Sequence, residues 1–317
     1  MRTHSRQSGF VLLMTLVLLM MAVVALAGMA HRSIIAALDS RTAVEDLQRR
    51  WATTSIRSAL LKRIGKLLDR AERGEVENGE LSERYLNAPI AQLHVSCTLS
   101  GMDYELVLTD EQAKLNLNRL LKRDDRAKVR SIVRRLTDRS NSANEKPAAL
   151  TLLTGTVGAD DPGKRGALPR IGSYGQIFTG ASPERLIGGE KTAGLAADIT
   201  CWGDGKVNLR RARDQVVRYA CGGDVQHDVV RELLEERNRN PYRRLSAILG
   251  RIDEIDEKQK AAVRRCLTDK STCHGLWIIA RGNQRSWHSL AVNVGKAAAE
   301  PTRSDGLGSV KWREFAW

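Results

Sequence analysis

Aromatic residues are scarce in this chain, with six Trp, five Tyr and three Phe among 317 residues. They do not alternate with the 51 Lys and Arg residues, as the stacking platforms that bind single-stranded nucleic acid require. A charged, solvated surface is therefore the simpler explanation of the net charge of +14. The chain also lacks a Ser-His-Asp arrangement, a paired-carboxylate motif and a run of metal ligands, and its six His residues are scattered. These absences disfavour an enzyme and favour an assembly component.

Charge is absent close to the N-terminus. Residues 9–30 carry none, and as a helix rising about 1.5 Å per residue they span roughly 33 Å, against a bilayer core of about 30 Å. The residues before them include Arg2, His4 and Arg6 but no acid. By the positive-inside rule this short leader stays in the cytoplasm and the rest of the chain crosses the membrane.

Three interpretations of this segment stay open. It can be a secretory signal peptide, because residues 25–27, Ala-Leu-Ala, fit a cleavage site of small residues. It can also be an uncleaved anchor of no special kind. The third interpretation uses the basic leader that ends at Gly9 directly before Phe10, and the absence of Gly and Pro over residues 29–64. Apolar residues recur there at roughly helical spacing, which predicts one helix from Phe10 to near Leu68.

The leader resembles that of the type IV prepilin and pseudopilin superfamily, in which a prepilin peptidase cuts after a Gly and the new N-terminal Phe is N-methylated. The matching residues are Gly9 and Phe10. Most members have Glu as the fifth mature residue, whereas this chain has Met14. The general secretion pathway protein K (GspK) family is the branch that lacks this Glu. Because an intramembrane carboxylate needs a partner, such as a neighbouring subunit's N-terminal amine, a subunit without it is suited to the tip of a fibre.

The resemblance to GspK covers about residues 5–60, 104–118 and 171–315 and implies a minor pseudopilin of a type II secretion system. It implies an α+β fold, in which a long N-terminal helix packs on an antiparallel sheet that carries a large, mainly α-helical insertion of sterile-alpha-motif-like or helix-hairpin-helix-like type. The implied location is the inner membrane, with one span and the globular part in the periplasm.

The same resemblance implies the partners. They are other minor pseudopilins in a tip complex, the major pseudopilin, the prepilin peptidase and the inner-membrane secretion platform, while nucleic acid is not expected. It also implies calcium as a cofactor of the helical domain, although no ligand can be matched residue by residue.

The predicted organisation has five parts: a leader at 1–9, the transmembrane half of the helix at 10–30, the pilin-like helix and first strands at 31–120, an inserted α-helical domain at 121–272 and C-terminal strands at 273–317. Alternating apolar residues predict a hairpin over 93–108, packed on the amphipathic half of the helix, and a second hairpin over 276–294. Residues 310–315 are predicted to be a closing strand. Between the hairpins, residues 171–249 have mostly helical periodicity.

The segment from Asp110 to Asn118 contains two acids and two Asn residues. A calcium loop is one interpretation, but the spacing fails the EF-hand template, which needs a Gly at position six and a Glu at position twelve. We favour a turn and helix cap that uses Asn side chains as acceptors. The segment resembles an element of GspK proteins, with Ala113 where that family usually has Gly. Residues 204–209 repeat the pattern, which predicts a second turn that leads into a helix.

Five cysteines, an odd number, allow at most two intramolecular disulfide bonds in an oxidising periplasm. The candidates are Cys201, Cys221, Cys266 and Cys273. The last two are close enough for a local loop and the first two allow another, but spacing alone does not fix the pairing. A zinc site at Cys266, Cys273 and His274 is disfavoured because no second ligand pair accompanies it.

The main alternative function is that of a membrane-anchored DNA-binding protein of the uptake type. Its candidate contacts are a basic helix over 125–139, whose predicted apolar face is Val129, Ile132, Val133 and Leu136, and a helix-hairpin-helix-like region. However, residues 219–224 lack the Leu-Pro-Gly-Ile-Gly type of loop whose amides bind phosphate, and they include Asp224. DNA binding is therefore the weaker interpretation.

Overall fold

The computed structural model describes residues 7–74, 89–138, 149–150, 171–188, 193–252, 255–282 and 285–294. The chain divides into two compact units, Met1–Thr54 and Ser55–Trp317. Most of the predicted leader and the predicted closing strand at 310–315 lie outside the described residues.

The described helices are α1 Gln7–Leu60, α2 Ile64–Glu72, α3 Leu117–Arg123, α4 Arg126–Thr137, α5 Pro183–Ile187, α6 Asp214–Cys221, α7 His227–Arg239, α8 Leu245–Leu249 and α9 Glu257–Cys266. The described strands are β1 Gln92–Leu99, β2 Met102–Asp110, β3 Leu115–Asn116, β4 Ala149–Leu150, β5 Phe178–Thr179, β6 Ile199–Thr200, β7 Val207–Asn208, β8 Leu267–Thr268, β9 Cys273–Arg281 and β10 Ser286–Val294. Single 3-10 turns form at Glu111–Ala113 and Tyr174–Gln176.

The long N-terminal helix is confirmed over 54 residues, from Gln7 to Leu60. The prediction that it continues to Leu68 is wrong, because a turn at residues 61–63 separates it from α2. In that turn the amide of Arg63 donates to the carbonyl of Leu60 at 2.7 Å. This bond spans three residues, so it closes a tighter turn than the four-residue hydrogen bond of an α-helix. Helix α2 then places Ile64 and Leu68 in the core, where both are fully buried. The apolar period is the same on both sides of the break and does not reveal it.

Both predicted hairpins form, and they join into one four-stranded antiparallel sheet in the order β1-β2-β9-β10. Ser100 and Gly101 connect β1 to β2 with φ values of 54° and 76°, as a two-residue type I′ turn requires. Helix α2 packs on β1, β2 and β9. The predicted α+β class, with a helix on an antiparallel sheet, is confirmed, while the exact domain boundaries stay a prediction.

The segment between β2 and β9 is a large insertion with most of the described helices. It shares one core with the sheet, since Val107 and Trp277 of the strands belong to the same buried cluster as Leu233 and Ile248 of the helices. The mostly helical periodicity predicted from residue 171 onward is wrong before Asp214, where among the described residues only α5 is an α-helix. Turns and two-residue strands form there instead, because a cluster of Gly residues supplies the positive φ angles of Gly180, Gly188, Gly203 and Gly205.

Candidate membrane anchor and buried polar cluster

The apolar part of α1 is the candidate membrane anchor. Among the described residues one helix, Phe10–Leu60, is long and apolar enough to cross a membrane, and its most apolar stretch is not buried. Exposed apolar surface costs about 25 cal/mol per Å² in water, whereas lipid accepts a helix whose backbone groups are all paired. Length and composition alone support this assignment, and a signal sequence near an N-terminus has the same properties.

The predicted processing residues lie near the start of this helix. Gly9 and Phe10 are within α1, which begins at Gln7. Met14 is one turn further on, and the (i, i+4) spacing puts it on the same helix face as Phe10. Both side chains are exposed, Phe10 by 65% and Met14 by 51%. Met14 therefore presents an exposed thioether, and cleavage and methylation stay a prediction.

The buried polar cluster begins at Asp110, the last residue of β2. Its carboxylate accepts a hydrogen bond from the amide of Gln112 at 3.0 Å and so caps the 3-10 turn that follows. Its other oxygen accepts from Ser271 Oγ at 2.5 Å, Asn208 Nδ2 at 3.1 Å and Arg211 Nη1 at 3.2 Å. Asp110 is fully buried. One carboxylate thus joins the end of β2 to two later parts of the insertion.

Glu111 is also fully buried, with a separate set of partners. Its carboxylate accepts from Lys114 Nζ at 2.6 Å, Thr200 Oγ1 at 2.6 Å, Thr109 Oγ1 at 2.7 Å and Tyr174 Oη at 3.4 Å. Burial, and then the charge of Glu111, raise the pKa of Tyr174 well above its usual value. Tyr174 therefore stays a protonated donor at neutral pH.

Two Asn side chains of the repeated pattern accept from nearby amides, and Asn116 confirms the prediction of a turn and helix cap over residues 110–118. Asn116 accepts from the amide of Arg119 at 3.1 Å at the start of α3, and Asn208 accepts from the amide of Arg210 at 3.0 Å. Each Asn ends a two-residue strand in a parallel pair, β3 with β6 and β7 with β8. The turn is repeated as the sequence predicts, but the second turn does not lead directly into a helix, since α6 begins only at Asp214.

These carboxylates do not fit a calcium site. Lys114 and Arg211 supply the compensating positive charge for Glu111 and Asp110, and the remaining oxygen lone pairs accept from hydroxyl and amide donors. The described part of the chain holds no group of three or more His, Cys, Asp or Glu arranged to bind a metal. The calcium implied by the family resemblance therefore has no ligands in residues 110–118.

The charge network that joins α2 to Arg210 and Arg211 is not visible in the sequence. Arg211 Nε donates to Glu72 at 2.7 Å, and its Nη2 donates to Asp69 at 2.7 Å. Arg210 Nη2 lies 2.6 Å from both acids. Burial by itself would lower the pKa of Arg211, but Glu72, Asp110 and Asp69 outweigh it and raise the pKa. The network attaches the turn after β7 to α2, the helix that packs on the sheet.

A cavity of about 440 Å³ opens beside this network. Six of its lining residues are cations, namely Arg210, Arg211, Arg237, Arg243, Arg244 and Lys270. Four of these are already paired with acids, Arg210 and Arg211 as above, Arg237 with Asp214 and Arg243 with Glu236. The cavity is therefore a largely neutralised surface and not a strong site for an anion.

The regions proposed for DNA contact are shaped differently from a phosphate-binding hairpin. The predicted apolar face of the basic helix is confirmed, since Val129, Ile132, Val133 and Leu136 are all buried in α4. In the connection after α6, however, the amides of Asp224 and Val225 both donate to the carbonyl of Cys221 at 3.2 Å. Amides that are already bonded within the chain are not available to a phosphate, so this geometry weakens the DNA-binding alternative.

Cys97, Cys221, Cys266 and Cys273 are free thiols in this structure. Cys97 is exposed, whereas the four candidates for disulfide bonds are buried. Of these, Cys221 and Cys266 are the last residues of α6 and α9, two helices that pack together, and each thiol shifts the pKa of the other. The structure thus brings together a pair that spacing along the chain did not suggest.

No family model and no curated protein matches the chain. A search of solved structures finds a chain of the GspK-GspI-GspJ complex from the type 2 secretion system of enterotoxigenic Escherichia coli. The two chains share 15% sequence identity, the match covers 80% of this chain and 92% of that one, and the TM-score is 0.45. This chain is similar to a subunit of that complex.

Proposed function

We propose that this protein is a minor pseudopilin of a type II secretion system that caps the tip of the periplasmic pseudopilus. The observation that carries the proposal is the length of α1. After the Gly9–Phe10 junction it has an uncharged, exposed part over residues 10–30, and it then continues as helix to Leu60. A signal peptide needs only the uncharged part. A helix that is continuous through both suits a subunit that is anchored first and later extracted into a fibre.

Two features support a place at the tip. Met14 offers no carboxylate to the N-terminal amine of a further subunit. In addition, the insertion between β2 and β9 adds a large mass to the pilin-like core, and such a mass repeated along a helical filament would clash with itself. The proposed partners are two other minor pseudopilins in the tip complex, the major pseudopilin, the prepilin peptidase and the inner-membrane platform.

The mature N-terminus tests the proposal. The full chain is expressed with and without its prepilin peptidase, and the N-terminal peptide is identified by mass spectrometry. We expect an N-methylated Phe10 that appears only with the peptidase. Gly9→Leu should abolish this product, whereas the matched variant Ala27→Leu, which blocks a signal-peptidase site, should leave it unchanged. A start at Gly28 that Ala27→Leu abolishes would overturn the proposal and identify a secreted protein.

A further inference from the structure

Two helices of the insertion end on cysteines that face one another. Cys221 is the last residue of α6, and Cys266 is the last residue of α9. The two helices pack together, and both side chains are 1% exposed. The C-terminal ends of α6 and α9 therefore meet at a pair of sulfur atoms.

Two arginines of α3 hold both helix ends in place. Arg123 donates to the carbonyls of Ala220 at 2.7 Å and Tyr219 at 2.8 Å, next to Cys221. Arg119, one turn earlier on α3, donates to the carbonyl of Arg265 at 2.6 Å, and its Nη2 lies 3.7 Å from the sulfur of Cys266. Cations at the carbonyl ends of helices are favourable because the last carbonyls lack intrahelical partners. The backbone positions of the two cysteines are thus fixed by contacts other than their own.

The two thiols have different acidities. The hydrogen bond from Cys221, together with Arg119 and Arg123, lowers the pKa of Cys266 to about 7 against the effects of burial and Asp224. The hydrogen bond to Cys266 and burial raise the pKa of Cys221. Because the thiolate is the nucleophile in disulfide exchange, Cys266 is suited to attack first and Cys221 to complete the bond.

We propose that Cys221 and Cys266 form an intramolecular disulfide bond that ties the ends of α6 and α9. The compartment in which the bond forms, an oxidising periplasm, rests on the proposed function, whereas the pairing rests on the geometry. The oxidant is a disulfide-carrying thiol oxidoreductase. Cys266 thiolate attacks its disulfide, which gives a mixed disulfide and releases one thiol of the oxidant. Cys221 then loses its proton and attacks the Cys266 sulfur, which releases the second thiol, so that two electrons and two protons pass to the oxidant.

Peptide mapping of the full chain in detergent tests the pairing. The purified, reduced protein is oxidised in a glutathione buffer, denatured, alkylated and digested with trypsin. Cleavage after Arg218, Arg265 and Lys270 places Cys221, Cys266 and Cys273 on separate peptides. We expect peptides 219–231 and 266–270 to be linked in the wild type and in the matched control Cys97→Ser. Cys221→Ser and Cys266→Ser should each lose this species. Alkylation of both cysteines in the oxidised wild type, or linkage of either to another cysteine, would overturn the pairing.

Thermal unfolding gives a second readout. A reductant should lower the Tm of the oxidised wild type and of Cys97→Ser by roughly 10 °C. It should leave the Tm of Cys221→Ser unchanged, so a variant that is merely less stable is distinguished from one that has lost a disulfide. An equal shift in wild type and Cys221→Ser would contradict the proposal.

Trapping the thiols with acid in intact cells separates this proposal from the proposed function. If the linked peptides form in the glutathione buffer but are absent from cells, the pairing holds and the periplasmic location of this region is wrong. If they are absent in both, the pairing is wrong, and a methylated Phe10 would still support the pseudopilin.

Discussion

Replacement of Arg211 by Met should destabilise the unit formed by residues 55–317 by about 3–5 kcal/mol, because it removes one partner of a buried ion cluster. The side chains of Glu72 and Asp110 are 1% and 0% exposed, and both would lose a charged donor. Glu72 keeps Arg210 at 2.6 Å, so its loss is partial. Asp110 keeps only neutral donors, and we expect most of the cost to arise there.

The assay is urea unfolding of the full chain in detergent, followed by Trp fluorescence, with Trp202 and Trp277 as buried reporters. The control is Arg231→Met. Arg231 also forms a salt bridge, to Asp228 at 3.2 Å, but the two side chains are 54% and 73% exposed, so the expected loss is about 0–1 kcal/mol. Equal losses for Arg211→Met and Arg231→Met would refute the reasoning.

A double mutant locates the cost. If Asp110 is the acid left uncompensated, then adding Asp110→Asn to Arg211→Met should cost less than Asp110→Asn costs alone, because no charge is left buried there. Additive losses would show that Asp110 and Arg211 do not interact energetically.

Three further predictions concern pH, packing and nucleic acid. Burial lowers the pKa of His274, with Arg211 acting in the same direction and Asp110, Glu111 and Asp69 opposing it. The unfolded chain therefore binds a proton that the folded chain does not, and the free energy of unfolding should fall as the pH drops below about 6.5. His274→Gln should flatten this slope in urea unfolding between pH 7 and 5, and an unchanged slope would contradict the assignment. Gly275→Ala would place a Cβ 2.6 Å from Thr109 Oγ1 and 2.7 Å from Glu111 Oε1, so it should cost about 1–3 kcal/mol in the same assay. Gly28→Ala, which has no atom within 4 Å, is its neutral control. Finally, a mobility-shift assay with duplex DNA should detect no binding at low salt, whereas binding that weakens steeply with salt would support the DNA-binding alternative.

The sheet could be predicted because its signals are local. In β1 and β2 apolar and polar residues alternate, and the Ser-Gly turn between them fits only a tight hairpin. The cap at Asn116 and the turn at Asn208 were predictable for the same reason, since each bond joins residues no more than three positions apart. Interactions of this kind join residues that are close in the sequence, so the sequence alone indicates them.

Long-range partners could not be predicted. The sequence shows that Arg211 and Glu72 are charged, but not that they meet across 139 positions. The contact between Cys221 and Cys266 likewise depends on two arginines of a third helix. The break at residues 61–63 cannot be predicted from the apolar spacing, because that spacing continues across it while the backbone changes from helix to turn. These features depend on how the elements pack, which a single sequence does not state.

The insertion leaves the sheet after Asp110 and returns at Cys273, and Asp110 is the register partner of His274. Its two ends are therefore neighbours on adjacent strands, where a short hairpin turn would also fit. Because the two ends of the insertion lie side by side, its length does not set the register of β2 against β9, which the ladder between these strands fixes by itself. What the insertion adds to the sheet is a shared core, and not its strand order.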